Sequence, residues 1–181
     1  GALALLGRAA SLPRLLDLAF VLALNVQGWG EALGAYDRFA WYGRKAESYV
    51  DRGEGSPIGV YSSKVADQYS HYYRPQDNSN HTDTRWALLT DGRTGGLLVS
   101  GAPDVSVSRF DDLDRAAYPF QLRPNKGWTT LHASHAVTGV GDTPNPVREH
   151  YQVQQDQTYE YTLTLRPLTA EEARAGLPAG A

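Results

Sequence analysis

Neither cysteine nor methionine occurs among the 181 residues of this chain. Without cysteine the chain can form no disulfide, no thiolate nucleophile and no cysteine-based metal site. Long apolar runs are missing too, because Arg14 and Asp17 interrupt the apolar residues 12–24, which are in any case too few to cross a bilayer. The first residue is glycine rather than methionine. We therefore expect a piece of a longer protein, and no membrane as its partner.

The chain also lacks an excess of charge of either sign. Its 17 basic and 20 acidic residues give a formal net charge of -3, and the basic residues are scattered among the acids. Binding to phosphate backbones requires clustered lysine and arginine. We therefore expect no nucleic acid and no anionic membrane surface as a partner.

What the sequence does contain is a series of short strand-like segments. Apolar side chains recur at every second position in residues 16–24 and again in residues 159–165, which is the period of a strand with one buried face. Shorter segments of the same kind lie between them, at residues 39–42, 86–90, 97–100, 105–110 and 128–133. Turn residues such as Asp91-Gly92 bound them. This pattern predicts an all-β sandwich or barrel, as a single domain over residues 1–168.

Little helix is expected. Residues 112–117 could form one or two helical turns. Thr169 and Glu172 have the spacing of a capping box, which predicts a short helix near the end of the chain. Gly176 and Pro178 follow directly, so we expect residues 169–181 to form a frayed tail.

The segment from Arg74 to Trp86 is the richest in hydrogen-bonding side chains. Amides, carboxylates and arginine can bind sugar hydroxyls, and aromatic faces can cover the apolar side of a sugar ring. One interpretation is a carbohydrate-facing loop that uses Arg74, Asp77, Asn80 and His81. The alternative is a loop whose Asn and Asp side chains hold its own backbone. A second polar segment, residues 43–52, alternates acids and bases, and for it we expect structural pairing.

No catalytic motif is present. The chain has no Gly-x-Ser-x-Gly elbow and no glycine-rich phosphate loop before a helix. His132 and His135 lie three residues apart in a predicted strand, so their side chains should point to opposite faces and share no metal. Paired carboxylates could hydrolyse a glycoside, but spacing does not single out a pair among 20 acids. We therefore predict no catalytic residue, no metal ligand and no cofactor in this chain.

Four stretches carry a family resemblance. They are Trp-Tyr-Gly-Arg at 41–44 with Glu-Ser-Tyr at 47–49 and Asp-Arg at 51–52, Arg-Pro-Gln-Asp-Asn-Ser-Asn-His-Thr-Asp at 74–83, Gly-Val-Gly-Asp at 139–142, and a closing segment at 159–168 that ends in Arg-Pro-Leu. In this order they resemble the C-terminal β-sandwich domain (domain 5, the small-chain region) of the β-galactosidases of glycoside hydrolase family two. The second stretch is the most specific, and the resemblance covers roughly residues 12–168.

The resemblance implies an antiparallel β-supersandwich, distantly like galactose mutarotase. In the complete enzymes the catalytic carboxylates lie in a preceding barrel domain, while this domain packs on the barrel and contributes a loop to the substrate pocket. The resemblance therefore implies a non-catalytic accessory domain of a retaining glycoside hydrolase. Its expected partners are the catalytic barrel and a galactoside-type carbohydrate, with Asp142 and Asn145 as further candidate sugar-facing residues. A cytoplasmic location is also implied.

The chain departs from the family in the loop at 141–146. The family's Gly-Gly-Asp-x-Ser-Trp sequence carries a tryptophan that stacks on the sugar, whereas this loop reads Gly-Asp-Thr-Pro-Asn-Pro. The family's domain is also longer on its N-terminal side, so part of the sandwich could be missing here.

Two other functions stay open at this point. One is a free-standing carbohydrate-binding module, for which the candidate platform aromatics are Trp29, Trp41 and Tyr73. The other is a mutarotase-like sugar enzyme, in which His81 would work with Asp77 or Glu149 as acid and base.

Overall fold

The computed structural model describes residues 3–8, 36–76, 78–110, 113, 115–125, 127–142, 144–156 and 158–179. Over these residues the chain forms eight strands, three short 3-10 helices and one α-helix. The strands are β1 (Leu3–Arg8), β2 (Arg38–Arg44), β3 (Ile58–Lys64), β4 (Trp86–Thr90), β5 (Gly96–Ser100), β6 (Asp104–Ser108), β7 (Thr130–Ser134) and β8 (Glu160–Pro167). The α-helix is α1 (Ala170–Ala175), and the 3-10 helices are Val65–Gln68, Pro119–Gln121 and Glu149–Tyr151.

Six strands form one sheet in the order β1-β8-β5-β4-β2-β3, and every neighbouring pair is antiparallel. Strands β6 and β7 pair separately, also antiparallel. The register places Trp41 of β2 between Tyr61 of β3 and Ala87 of β4. The all-β antiparallel sandwich predicted from the sequence is confirmed.

The hydrophobic core lies between the two sheets. Phe39 and Trp41 project into it from β2, because alternate side chains of a strand point to the same face. Their rings stack with centroids 5.0 Å apart. The same cluster contains residues of the two-stranded sheet and of the other large-sheet strands: Val105, Val107, Leu131, Ala133, Ala87, Leu89, Val99, Leu163 and Leu165. Burial of this apolar area is the main force that holds the sheets together.

Most of the predicted strands are found within a few residues of their expected bounds. Segments 39–42, 86–90, 97–100 and 159–165 correspond to β2, β4, β5 and β8, and segment 128–133 corresponds to β7. The segment predicted at 105–110 ends earlier, at Ser108. There the Ser108 hydroxyl accepts from the Phe110 amide (2.9 Å) and donates to the Phe110 carbonyl (3.1 Å), which turns the chain out of the sheet.

The strand predicted at 16–24 and part of the helical turn predicted at 112–117 lie outside the described residues. Strands β1 and β3 were not predicted. β3 forms the edge of the sheet, and Ile58 and Val60 on it are 48% and 49% exposed. An edge strand with no buried residue has little reason to show a regular apolar alternation.

The predicted capping box at the start of α1 is confirmed. Thr169 Oγ1 accepts from the Glu172 amide at 3.2 Å, and Glu172 Oε2 accepts from the Thr169 amide at 3.0 Å. The expectation that the residues beyond fray stays a prediction, but the structure places them in contacts up to residue 179. Ala173 is fully buried, Pro178 is buried, and the Ala179 amide donates to Glu172 Oε1 at 2.8 Å. None of the described helices is long and apolar enough to cross a membrane.

The turn between β4 and β5 is held by one carboxylate. Asp91 Oδ1 accepts from the amides of Arg93, Thr94 and Gly95 at 2.8, 2.9 and 3.1 Å, and Asp91 Oδ2 accepts from the Thr94 hydroxyl at 2.8 Å. Burial alone would raise the pKa of Asp91, but these hydrogen bonds outweigh it and lower the pKa to about 2.

We expect Asp91→Ala to lower the free energy of unfolding by about 1 kcal/mol, because the turn amides lose their acceptor to water. Arg93→Ala is the matched control, since the Arg93 side chain is exposed in the same turn. Urea unfolding of the two variants at pH 7 measures the difference. Equal unfolding midpoints would show that the carboxylate adds nothing to the turn.

Candidate functional site

An open cleft of about 630 Å³ lies where three loops meet. Glu47, Tyr49 and Arg52 line it from the loop after β2, and Tyr72 and Gln76 line it from the loop after the 3-10 helix at 65–68. The loop after β7 contributes residues 140–142 and 144–146. Small-molecule sites typically have volumes of roughly 300–1,000 Å³, so a sugar would fit.

The loop after β2 is anchored on the polar segment at 78–82. The Ser48 amide donates to the Asn80 carbonyl at 2.7 Å, and the Asn80 side-chain amide donates back to the Ser48 carbonyl at 3.0 Å and to Asp104 Oδ1 at 2.7 Å. Ser48 is fully buried. The cleft wall is therefore tied through Asn80 to the first residue of β6.

Arg44 fixes the far side of the same loop. Its Nε donates to Asp83 Oδ2 at 2.6 Å, and its Nη1 donates to the carbonyls of Gly53 and Ser56 at 3.0 and 3.2 Å. Asp51 and Arg52 extend this pairing to the loop after β7. The structural pairing expected for residues 43–52 is thus found for Arg44 and Arg52, whose partners Asp83 and Asp142 lie outside that segment.

The loop after β7 is held by the two charged neighbours at positions 51 and 52. Asp51 Oδ1 accepts from the Val140 amide at 3.0 Å, and Asp51 Oδ2 accepts from the Gly141 amide at 2.7 Å. Arg52 Nη2 donates to the Gly141 carbonyl and to Asp142 Oδ1. These contacts join segments about ninety residues apart in the sequence and define one wall of the cleft.

The cleft offers mixed hydrogen-bonding groups of the kind that suit a polyhydroxylated ligand. Glu47 and Asp142 provide carboxylates, and Gln76 and Asn145 provide amides. Glu47 is oriented by the Tyr49 hydroxyl, which donates to its Oε1 at 3.1 Å. The partly exposed ring of Tyr72 supplies an aromatic surface beside them.

The structure separates the sequence-predicted site residues into two groups. Asp142 and Asn145 line the cleft. Asn80 and His81 are buried away from it, and Arg74 is exposed but does not line it. Asp77 lies outside the described residues.

His81 belongs to the core. Its side chain lies against Trp41, with ring centroids 4.2 Å apart, and only 2% of the residue is exposed. Nδ1 lies 3.0 Å from the Arg44 carbonyl oxygen, and Nε2 lies 2.7 Å from Gln68 Oε1. Burial lowers the pKa of His81 to about 4, an effect that the Arg44 carbonyl partly opposes. A buried neutral ring does not reach a ligand in the cleft, so this geometry does not support an acid–base role.

The aromatics considered for a sugar-binding platform are also separated. Trp41 is 3% exposed and belongs to the core, whereas Tyr73 is 88% exposed. Trp29 lies outside the described residues. Among the described residues, no three histidine or acidic side chains are grouped so that they could hold a metal ion.

Sequence reasoning missed Glu47, Arg52, Tyr72 and Gln76 as cleft residues. The signals that could have indicated them were the alternating charges at 43–52 and the specific block around Arg-Pro-Gln. Neither signal indicates which of these side chains face a ligand. Their access to a ligand depends on where the loop after β7 packs, which the local sequence does not show.

Comparison with known proteins identifies the family. A family model described as "Beta galactosidase small chain" matches residues 30–165. This chain belongs to the β-galactosidase small-chain family. The matched residues of this small-chain domain include almost all of the described sandwich and all three loops of the cleft.

Full-length relatives of the small-chain domain are β-galactosidases by name. The enzyme of Priestia megaterium is 29% identical over 170 residues, which cover 90% of this chain and 16% of the relative. BgaC of Bifidobacterium adolescentis is 30% identical over 160 residues, 83% of this chain and 15% of the relative. The enzyme of Kluyveromyces lactis is 32% identical over 136 residues, 71% of this chain and 13% of the relative. The small-chain domain thus spans about one sixth of these proteins or less.

Proposed function

We propose that this small-chain domain is a non-catalytic accessory part of a β-galactosidase, and that it packs on a catalytic barrel that this chain does not contain. The observation that carries the proposal is the small fraction of each relative that this chain matches. Relatives named β-galactosidase match over most of this chain, yet the match accounts for only 13–16% of their own length. The two catalytic carboxylates of a retaining glycosidase would then lie in the other parts of such an enzyme.

The cleft supports a role at the rim of a galactoside pocket. Both carboxylates that line it are already engaged within the domain, Glu47 by the Tyr49 hydroxyl and Asp142 by Arg52. We assign these two groups to orienting a bound sugar, with the attacking carboxylate supplied by the barrel. On this proposal the loop with Asp142 and Asn145 contacts the galactoside from one side, and the domain acts without a metal or cofactor of its own.

The experiment compares hydrolysis of a chromogenic β-galactoside by three samples: the purified chain, the complete protein that carries it, and that protein without residues 30–165. We expect turnover from the complete protein alone. Deletion should reduce kcat/KM by at least about 100-fold, because a displaced substrate-positioning loop alone costs that much. Calorimetry of the purified chain should detect no binding of galactose or lactose tighter than about 10 mM.

The outcomes separate the candidate functions. Turnover by the purified chain would overturn the proposal, because it would require catalytic carboxylates within these 181 residues. Sugar binding by the purified chain without turnover would favour a carbohydrate-binding module. Full activity after deletion would show that the domain serves no purpose in galactoside hydrolysis.

A further inference from the structure

We propose that Asp51 is a positioning residue, whose carboxylate sets the backbone of the loop after β7 and thereby the places of Asp142 and Asn145 at the cleft. The kinetic part of this proposal depends on the proposed galactosidase role, whereas the structural part does not. Asp51 does not line the cleft itself. It acts through the loop.

The Asp51 carboxylate holds two consecutive peptide groups of the loop. Its two oxygens accept from two consecutive amides, Val140 and Gly141, at 3.0 and 2.7 Å. Successive backbone N–H groups that converge on one anion form a concave binding site for it. Hydrogen bonds to an ionised acceptor are roughly twice as strong as neutral ones. One side chain therefore specifies two adjacent peptide planes of the loop.

The loop after β7 is shaped to admit this carboxylate. A Cβ at Gly139 would lie 2.5 Å from Asp51 Cγ, so no larger residue fits without displacing the carboxylate. Gly141 has a φ of +66°, a left-handed conformation that glycine adopts without strain. The Gly139 amide donates to the Tyr151 carbonyl at 2.9 Å, which fixes the loop from its other side.

The turn that carries Asp51 is itself held by hydrogen bonds. Tyr49 and Arg52 exchange two backbone hydrogen bonds, of 2.8 and 2.9 Å, and so close a tight turn around Asp51. The turn follows buried Ser48, which is bonded to Asn80, and Asn80 is bonded to Asp104 at the start of β6. A chain of hydrogen bonds thus connects β6 of the sandwich, through Asn80, Ser48 and the turn with Asp51, to the loop after β7 at the cleft.

Arg52 completes the arrangement. It donates to the Gly141 carbonyl and to Asp142 Oδ1. Arg52 therefore orients the Asp142 carboxylate at the cleft, while Asp51 beside it holds the loop backbone. The Asp142 amide donates to the Asn145 carbonyl at 3.2 Å and carries this order to the tip of the loop. Loss of Asp51 should therefore loosen both cleft residues without touching either.

The test uses Asp51→Asn in the complete protein, because asparagine keeps the size of the side chain but turns an NH₂ group toward one of the two amides. Glu54→Gln is the matched control, since Glu54 is an exposed acid in the same loop. Hydrogen exchange of the peptide covering residues 137–147 should become about tenfold faster in Asp51→Asn and stay unchanged in the control. The global unfolding midpoint should stay close to that of the wild type.

Kinetics with a β-galactoside provides the second measurement. We expect Asp51→Asn to raise KM by about five- to tenfold, the value of one lost hydrogen bond to a substrate, and to leave kcat within about twofold. A residue that only supported the fold would lower kcat and the amount of active enzyme together.

Each outcome decides one of the two proposals. Unchanged exchange at 137–147 would overturn the positioning role, whatever the kinetics show. Faster exchange with an unchanged KM would confirm that Asp51 positions the loop, but it would overturn the kinetic part of the proposal, because the loop would then not serve the substrate. A complete protein that hydrolyses no β-galactoside would overturn the proposed function instead, while the exchange data would still decide whether Asp51 positions the loop.

Discussion

Acidification from pH 7 to pH 4 is expected to lower the free energy of unfolding of this chain by roughly 3 kcal/mol through His81 alone. In the folded state burial lowers the pKa of His81 to about 4, whereas its ordinary value is 6.5. As the pH falls below 6.5, the unfolded chain takes up a proton that the folded chain refuses. The stabilisation is therefore complete above about pH 6.5 and is lost progressively down to about pH 4.

The physical cause is the place of the ring in the core. The imidazole of His81 lies against Trp41, with its ring nitrogens near the Arg44 carbonyl and the Gln68 side-chain amide, and only 2% of the residue is exposed to solvent. The backbone of His81 also pairs with Val105 of β6 through reciprocal bonds of 2.9 and 3.1 Å. This bridge ties the backbone of His81 to the second sheet.

Urea unfolding at pH 7, 6, 5 and 4 measures the effect. His81→Gln should be less stable than the wild type at pH 7 but should lose less stability on acidification. His71→Gln, which alters an exposed histidine ten residues earlier, should keep the wild-type pH dependence. Where His81→Gln fails to fold, the titration of the His81 ring followed by NMR decides the matter. A titration midpoint near 6.5 in the folded state would refute the prediction.

His81 also shows why the sequence could indicate the polar segment but not its role. Asn, Asp and His bind sugars and hold loops with the same groups, so the composition of residues 74–86 fits both interpretations. The difference is burial. Asn78, Asn80 and His81 are 5%, 6% and 2% exposed, and Asn80 is bonded to Ser48 in the loop after β2, some thirty residues earlier in the sequence.

The parts of the fold that could be predicted are those with local signals. β4, β5 and β8 carry apolar runs bounded by turn residues, and the start of α1 is specified by two residues three positions apart. The cleft has no such signal. Its walls meet through the contacts of Asp51 and Arg52 with residues about ninety positions later, and no periodicity in the sequence encodes that distance. Only the family resemblance pointed to the loop at 139–146.

The last residues of the chain provide the second large prediction. We expect Glu172→Ala to lower the free energy of unfolding by about 3 kcal/mol, because it removes the N3 partner of the capping box and one half of a largely buried ion pair. The Glu172 side chain is 7% exposed and accepts from Arg166 Nη1 and Nη2 at 2.9 and 2.6 Å. It also accepts from the amides of Thr169 and Ala179, at 3.0 and 2.8 Å.

The expected size follows from these contacts. The capping interaction contributes about 1 kcal/mol. A fully buried pair that loses one partner costs about 3–5 kcal/mol, but the Arg166 side chain is 35% exposed and water can solvate its charge, so we assign the pair about 2 kcal/mol. Glu171→Ala is the matched control, because Glu171 is exposed in the same helical turn and should change stability by less than about 0.5 kcal/mol.

The pH dependence gives a further check on Glu172. The hydrogen bonds from Arg166, followed by those from the Thr169 and Ala179 amides, hold the pKa of Glu172 far below its usual range. Its stabilisation is therefore fully present above the unfolded value of about 4.3 and is lost as the pH falls below it, a window separate from that of His81. Urea unfolding at pH 7 and pH 3 should show the difference between Glu172→Ala and Glu171→Ala shrinking in acid. Equal stabilities of the two variants at pH 7 would mean that residues 169–179 fray in solution, as their glycine and proline content first suggests.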